Sequence, residues 1–203
     1  KTKFRRFFSQ AGHRKIAAEL NDSLLEDEYF LEIGAGGGSL LEHVPSQNYI
    51  GIDRSLKFLS VLKTKFPDAI AICTNGTKLP FKESTIKKIV SLHTLEHIYL
   101  IAEHLEELIR VLKKEGKLYF AIPTEGGLAF NLGRQLISRP YVKNKYNLDA
   151  NYIMDREHIN DANRVIKFLK MYFATVKKSY WPCRIPFLSL NAMIFGYCEN
   201  KDK

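Results

Sequence analysis

Short runs of consecutive apolar residues alternate along this chain with stretches in which apolar residues recur every three or four positions. Tyr29-Phe-Leu-Glu-Ile33, Tyr49-Ile-Gly-Ile-Asp53, Ala69-Ile-Ala-Ile-Cys73, Lys88-Ile-Val-Ser-Leu92 and Lys117-Leu-Tyr-Phe-Ala-Ile122 are runs of the first kind. Near-continuous apolarity over so few residues suits a strand covered on both faces of a parallel sheet. Leu56, Phe58, Leu59, Leu62 and Phe66 have helical spacing, as do Ile101, Leu105, Leu108 and Leu112 within a helix predicted from Ile98 to Lys114, with Gly116 as its stop. A helix over Phe8 to Leu20 is expected to cover the sheet edge, and a short one to run from Ser39 to His43. Strands alternating with helices imply a mostly parallel sheet with right-handed crossovers.

The last third of the chain has another rhythm. An amphipathic helix over Asp161 to Phe173 is followed by strand-like Val176 to Trp181 and Leu190 to Cys198, with no helix between them. Strands joined in this way are normally antiparallel. The expected fold is therefore α/β: one domain over residues 1–203, with a seven-stranded, mostly parallel sheet, an antiparallel last strand and helices on both faces. Residues 1–28 are read as an N-terminal helical cover. Residues 124–157 form an insertion long enough to be functional, read as a substrate lid with partial helix over Gly127 to Ser138. It follows the carboxyl end of a strand, the side where open α/β sheets bind ligands.

Chemistry concentrates where the first strand ends. Glu32-Ile-Gly34-Ala-Gly36-Gly-Gly38-Ser stands between that strand and the short helix. Glycines let backbone turn tightly and approach a ligand closely. Asp53 closes the second strand, where a carboxylate can accept hydrogen bonds from both ribose hydroxyls. Together these features indicate a cofactor containing a nucleoside. The dinucleotide pattern would require a third glycine where this chain has Ser39, which disfavours a nicotinamide dehydrogenase.

The spacing Glu-x-Gly-x-Gly-x-Gly resembles that of the class I S-adenosylmethionine-dependent methyltransferases, with their Rossmann-like fold. Thr74-Asn-Gly-Thr-Lys-Leu-Pro-Phe81 and Val90-Ser-Leu-His-Thr-Leu-Glu-His-Ile98 resemble the third- and fourth-strand motifs of the methyltransferase type 11 group, and Arg156-Glu-His-Ile-Asn160 its segment before the last helix. The resemblance implies S-adenosylmethionine as cofactor and S-adenosylhomocysteine as product. It implies that Glu32 and the backbone of Gly34, Ala35, Gly36 and Gly38 surround the methionine part. Asp53 would then hold the ribose and Arg54 lie against the adenine. Asn75, where the family usually has Asp, would accept from the adenine amino group, with Gly76 and Thr77 beside it. The backbone from Ser91 to His93 would face the methionine ammonium. Ile86-Lys87 replaces the family's usual Phe-Asp at the start of strand four.

Transfer from a sulfonium needs chiefly in-line positioning, and a base only where the acceptor must lose a proton. His158, an imidazole titrating near neutral pH between lid and core, is the first candidate for that base, and His97 the second. His93, Glu96, His97 and His158 also resemble in part the divalent-metal set of small-RNA 2′-O-methyltransferases, with His93 in place of the first Glu. Leu-Glu-His is common in relatives without metal, and no metal is expected. The acceptor is read as a small molecule or glycan-like, with oxygen the preferred atom.

Composition narrows the alternatives further. With 45% hydrophobic and 26% charged residues, the chain belongs with ordinary globular proteins. It shows neither a secretory signal nor an apolar run long enough to span a bilayer, so a cytoplasmic protein without stable membrane insertion is expected. Cys73, Cys183 and Cys198 are read as buried thiols. Of the 31 Lys and Arg, residues 110–203 hold 17 against 8 acidic residues, whereas residues 1–109 balance at 14 of each. That asymmetry keeps RNA as an alternative acceptor. A non-catalytic accessory domain is the remaining rival.

Overall fold

The computed structural model describes residues 10–22, 28–125, 127–133, 135–136, 139–140, 143 and 158–200. Seven strands form one sheet: β1 (Phe30–Ile33), β2 (Tyr49–Asp53), β3 (Ile70–Cys73), β4 (Ile86–Leu92), β5 (Leu112–Pro123), β6 (Thr175–Pro182) and β7 (Asn191–Glu199). Their spatial order is β3-β2-β1-β4-β5-β7-β6, and β7 alone runs antiparallel to both its neighbours. Ile33 stands opposite both Ile52 and Ser91, so β1, β2 and β4 finish at one level. The glycine loop, Asp53 and His93 therefore emerge at the same end of the sheet. Because β7 is reversed, it begins there too, with Met193 opposite Pro123.

Helices α1 (Ala11–Asn21), α2 (Leu56–Lys65), α3 (Ile101–Val111), α4 (Leu128–Gly133) and α5 (Ala162–Tyr172) flank the sheet. Ile16 and Leu20 of α1 and Leu62 of α2 pack with Phe30, Tyr49, Val90 and Tyr119 on one face. Leu105 and Leu108 of α3 and Val165 and Leu169 of α5 pack with Leu31, Ile52, Ile89 and Phe120 on the other. Side-chain oxygens start two of these helices: Ser55 Oγ accepts from Phe58 N at 3.4 Å, and Asp161 Oδ1 from Arg164 N at 2.8 Å.

Several local expectations shift. The first helix lies over the inner strands β5 and β7, not at an outer edge, and residues 1–9 lie outside the described set. The helix expected to continue to Lys114 ends at Val111. Ser84 N and Thr85 N donate to Arg110 O and Val111 O, each at 2.9 Å, so the approach to β4 satisfies the helix end and no glycine cap is needed. Leu112 then enters β5 directly, opposite Ile86. At the helix's start, Leu95–His97 is a separate 3-10 turn, and Leu40–Glu42 is another in place of the short helix over Ser39 to His43. Of the predicted lid, α4 is described, while most of residues 134–157 lie outside the described set. Cys198 is buried as expected, but Cys73 and Cys183 are exposed, one ending the outer strand β3 and the other in the loop after β6.

Candidate functional site

The backbone of the glycine loop is built around the end of β2. Gly34 N and Ala35 N both donate to Ile52 O, at 2.8 and 2.9 Å, and Gly38 N donates to Ala35 O at 3.0 Å. Gly34 has φ +73°, and a Cβ added there would lie 2.1 Å from Thr94 Oγ1, so only glycine lets this turn pass beneath the residue after β4. Gly36, at φ +52°, has no atom within 4 Å of an added Cβ: the loop's tip faces open space.

Two carboxylates stand at this loop in different states. Asp53 is half-buried and held at both oxygens, with Gly36 N donating to Oδ2 at 2.9 Å and Ser55 N to Oδ1 at 2.8 Å. Its orientation is thereby set by the glycine loop and the start of α2. Glu32 is only 2% exposed, and the Tyr49 hydroxyl donates to its Oε2 at 2.5 Å. Burial raises the Glu32 pKa to about 8; the Tyr49 hydrogen bond pulls against this, and the Asp53 charge adds to it. The same burial, reinforced by Glu32, drives the Tyr49 phenol well above its ordinary value.

The nucleoside side is organised by backbone contacts. Thr74 N donates to Asp53 O at 3.2 Å, which joins the ends of β2 and β3. Asn75 is exposed, and its Oδ1 accepts from Thr77 N at 3.2 Å and Thr77 Oγ1 at 2.9 Å, closing a tight turn. The buried Gly76, at φ +77°, has its carbonyl 2.9 Å from His104 Nδ1, which fastens this turn to α3. Arg54 is exposed, and its carbonyl lies 3.6 Å from Cys73 Sγ.

A group of imidazoles and carboxylates gathers beyond β4 and β5. His93 adopts φ +52°, and its N–H donates to Ala121 O at 2.8 Å. Its ring stacks on His13 of α1, with centroids 5.8 Å apart, and its Nδ1 lies 3.8 Å from Glu96 Oε1. Withdrawal from water, and then the nearby His13, His97 and His158, push the His93 pKa well down. Burial lifts Glu96 to about 8, so this pair stays uncharged at neutral pH.

His97 meets His158 edge-on at 4.5 Å between centroids, and His158 Nδ1 contacts Glu125 Oε1. Burial first, then His97, lowers the His158 pKa to about 4, so its ring is neutral at pH 7. The fully buried Asn160 holds this segment in place. Its Nδ2 donates to Leu95 O at 3.1 Å and Ile98 O at 2.7 Å, and its own N–H donates to Glu96 O at 3.0 Å. Among the described residues, no three His, Cys, Asp or Glu side chains converge as a metal-holding group, including His93, Glu96, His97 and His158.

The predicted residues thus fall into two neighbourhoods at one end of the sheet: the glycine loop with Glu32, Asp53 and the Asn75 turn, and the imidazole group. Two members were not singled out from the sequence. His13 lies on the first helix, and Glu125 merely begins the insertion. Neither sits in a motif, and only the packing of α1 and the end of β5 bring them here.

Comparison with known proteins agrees with this geometry. The family model described as a methyltransferase domain matches residues 31–120. An uncharacterized protein of Methanocaldococcus jannaschii is 35% identical over 104 residues, which are 51% of this chain and 44% of that protein. An uncharacterized methyltransferase of Schizosaccharomyces pombe is 32% identical over 109 residues, 51% of this chain and 43% of that protein. The matches therefore take in less than half the length of these curated relatives. Among solved structures, a Thermotoga maritima S-adenosylmethionine-dependent methyltransferase, described as a possible histamine N-methyltransferase, superposes with TM-score 0.64 at 17% identity, covering 98% of this chain and 95% of its own. A TehB-like S-adenosylmethionine-dependent methyltransferase from Corynebacterium glutamicum gives TM-score 0.65 at 12% identity, with coverage of 98 and 95%. These two likenesses speak for the fold. The family match adds that residues 31–120, which hold the glycine loop, β2 and the motifs after β3 and β4, are similar to the methyltransferase domain family, on a fold that these solved methyltransferases share.

Proposed function

We propose that this chain transfers the methyl group of S-adenosylmethionine to a small-molecule or glycan-like acceptor, with oxygen the first atom to test. The observation that carries this reading is the cradle at the glycine loop. Gly36 faces open space, Asp53 is clamped beside it, and the buried Glu32 has the Tyr49 hydroxyl as its hydrogen-bond donor. A nucleoside carrying an ammonium group fits such a site, because its hydroxyls suit the oriented carboxylate and its positive charge suits the buried one.

When bound, the cofactor supplies an electrophilic methyl group on a sulfonium. The chain's own residues bind and orient. Glu32 balances the ammonium, with the backbone of Gly34, Ala35, Gly36, Gly38 and His93 around it. Asp53 accepts from the ribose hydroxyls. Arg54, Asn75, Gly76 and Thr77 border the adenine. Asn75 Oδ1 already accepts two hydrogen bonds from Thr77, so the turn's backbone contributes to adenine recognition alongside the side chain. His158 is the general base: a proton on Nδ1 facing Glu125 leaves Nε2 free to take the acceptor's proton, and His97 fixes the ring's tilt. Its low pKa keeps the base neutral across the physiological range.

Calorimetric titration of S-adenosylhomocysteine, with Asp53→Ala and NAD as controls, tests the cofactor site. Saturable binding lost in Asp53→Ala is expected. No binding by the folded chain, or preferential binding of NAD, would refute the reading. Once an acceptor is found by screening with labelled methyl donor, His158→Gln is expected to lower kcat about a hundredfold or more with cofactor affinity unchanged. A near-normal kcat would remove His158 from the base role.

A further inference from the structure

Among the described residues, six large apolar side chains stand exposed in the two segments after β5 and β6: Leu128, Leu132 and Leu136, and Ile185, Phe187 and Leu190. Leu128 is 72% exposed, Leu132 58% and Phe187 65%. Leu128 and Leu132 are one helical turn apart on α4, and α4 packs against the 3-10 turn Leu188–Leu190 and the start of β7. A Cβ on Gly127 would lie 2.8 Å from Leu188 O, which shows how closely the two segments approach. Both lie at the end of the sheet that carries the glycine loop, because β5 finishes and β7 begins there.

The loop holding Phe187 is fixed from beneath. Asn191 is fully buried; its Oδ1 accepts from Cys183 N at 2.9 Å, and its Nδ2 donates to Ile185 O and Phe187 O, each at 2.8 Å. Thr124 Oγ1 in turn donates to Asn191 O. The loop's backbone is bonded inward while its large side chains face water, an arrangement that costs free energy in isolation.

Charge identifies the occupant. The sequence contains no Asp or Glu from residue 126 to 148, where Arg134, Arg139, Lys143 and Lys145 occur, and none from residue 183 to 190, where Arg184 occurs. Exposed Leu, Ile and Phe in segments carrying only positive charge suit a surface with an apolar interior and anionic headgroups. A second copy of the chain would instead oppose like charges. We propose that this apolar shelf docks the protein on an anionic lipid surface, with the end of the sheet where β5 finishes and β7 begins turned toward it. The inference does not rest on the methyltransferase reading.

Sedimentation of the full chain with phosphatidylcholine vesicles, and with vesicles also containing phosphatidylglycerol, tests this. Binding to the anionic vesicles is expected, weakening as salt rises. Phe187→Ser and Leu132→Ser should each weaken it about tenfold or more, as expected for the loss of one large inserted side chain. Both positions are solvent-exposed, so thermal midpoint and S-adenosylhomocysteine affinity should stay at the parent values. No vesicle binding, equal binding to both vesicle types, or binding indifferent to both variants would overturn the proposal. A vesicle-free dimer that Phe187→Ser turns into a monomer would overturn it too. Cofactor titration on the same preparation separates the two readings. Vesicle binding without cofactor binding removes only the methyltransferase reading, and the reverse result removes only this one.

Discussion

If Glu32 holds the cofactor ammonium as proposed, cofactor binding becomes a proton-linked event. Without the cofactor the carboxyl is buried, with Asp53 as a neighbouring negative charge, and its pKa stands near 8 despite the Tyr49 hydrogen bond. At pH 7, about nine in ten molecules then carry a proton on Glu32. An ammonium placed beside the carboxylate reverses the balance, because a nearby opposite charge favours ionisation. Binding S-adenosylhomocysteine at pH 7 should release about 0.9 of a proton. Ionising Glu32 at that pH costs about 1.4 kcal/mol, which is about tenfold in affinity. Affinity should accordingly rise close to tenfold per pH unit below about pH 8 and level off above it. Calorimetry in buffers of contrasting ionisation enthalpy reads the proton directly, since the observed enthalpy shifts with the buffer. Glu32→Gln should bind weakly, with no buffer dependence and a flat pH profile. Identical enthalpies in the two buffers at pH 7, together with an affinity independent of pH, would refute the reasoning.

The same burial makes the cofactor-free chain sensitive to alkali. Glu32 and Glu96 have folded pKa values of about 8 against an ordinary value of 4.5, so between those values the folded chain holds more protons than the unfolded one, and stability falls as pH rises. His93, His104 and His158 are shifted downward and oppose this only below the ordinary imidazole value near 6.5, where their stabilising contribution is lost as pH falls. Denaturant unfolding from about pH 6.5 to 8 should therefore show a decline of about 1 kcal/mol or more per pH unit, less steep in Glu96→Gln; constant stability would contradict it. Gly34→Ala should cost about 2 kcal/mol or more, from the left-handed backbone and the Thr94 overlap together, and abolish S-adenosylhomocysteine binding; an unchanged melting midpoint would count against the turn's role. Asn160→Ala removes donors to Leu95 O and Ile98 O and should destabilise by about 1–3 kcal/mol, lowering kcat through His158 rather than cofactor affinity, as urea unfolding and kinetics would report.

The strands, the glycine loop and Asp53 were legible from local pattern alone. A strand covered on both faces must be apolar throughout, and a ligand-hugging turn after it needs glycine, so each leaves its mark on consecutive residues. The amphipathic α5, with Asp161 as its cap, and the antiparallel close of the sheet were readable for the same reason.

Where a local signal competed with a distant partner, the partner prevailed. Gly116 marked a helix end, yet Ser84 N and Thr85 N supplied the missing donors at Arg110 and Val111, respectively, and the chain turned into β5 earlier. Cys73 and Cys183 resemble interior thiols by residue type, but the strand order leaves β3 at an edge and the β6–β7 loop exposed, and neighbouring strands are not written in either strand's own residues. The meeting of His13 with His93, of Glu125 with His158, and of Asn191 with the loop carrying Phe187 arises only when α1, the end of β5 and the reversed β7 converge on one end of the sheet. Residue spacing determined which elements form and where the glycine loop meets Asp53. Tertiary packing alone decided the protonation states of Glu32, Glu96 and His158, because burial and neighbouring charge belong to the assembled fold and not to any segment of it.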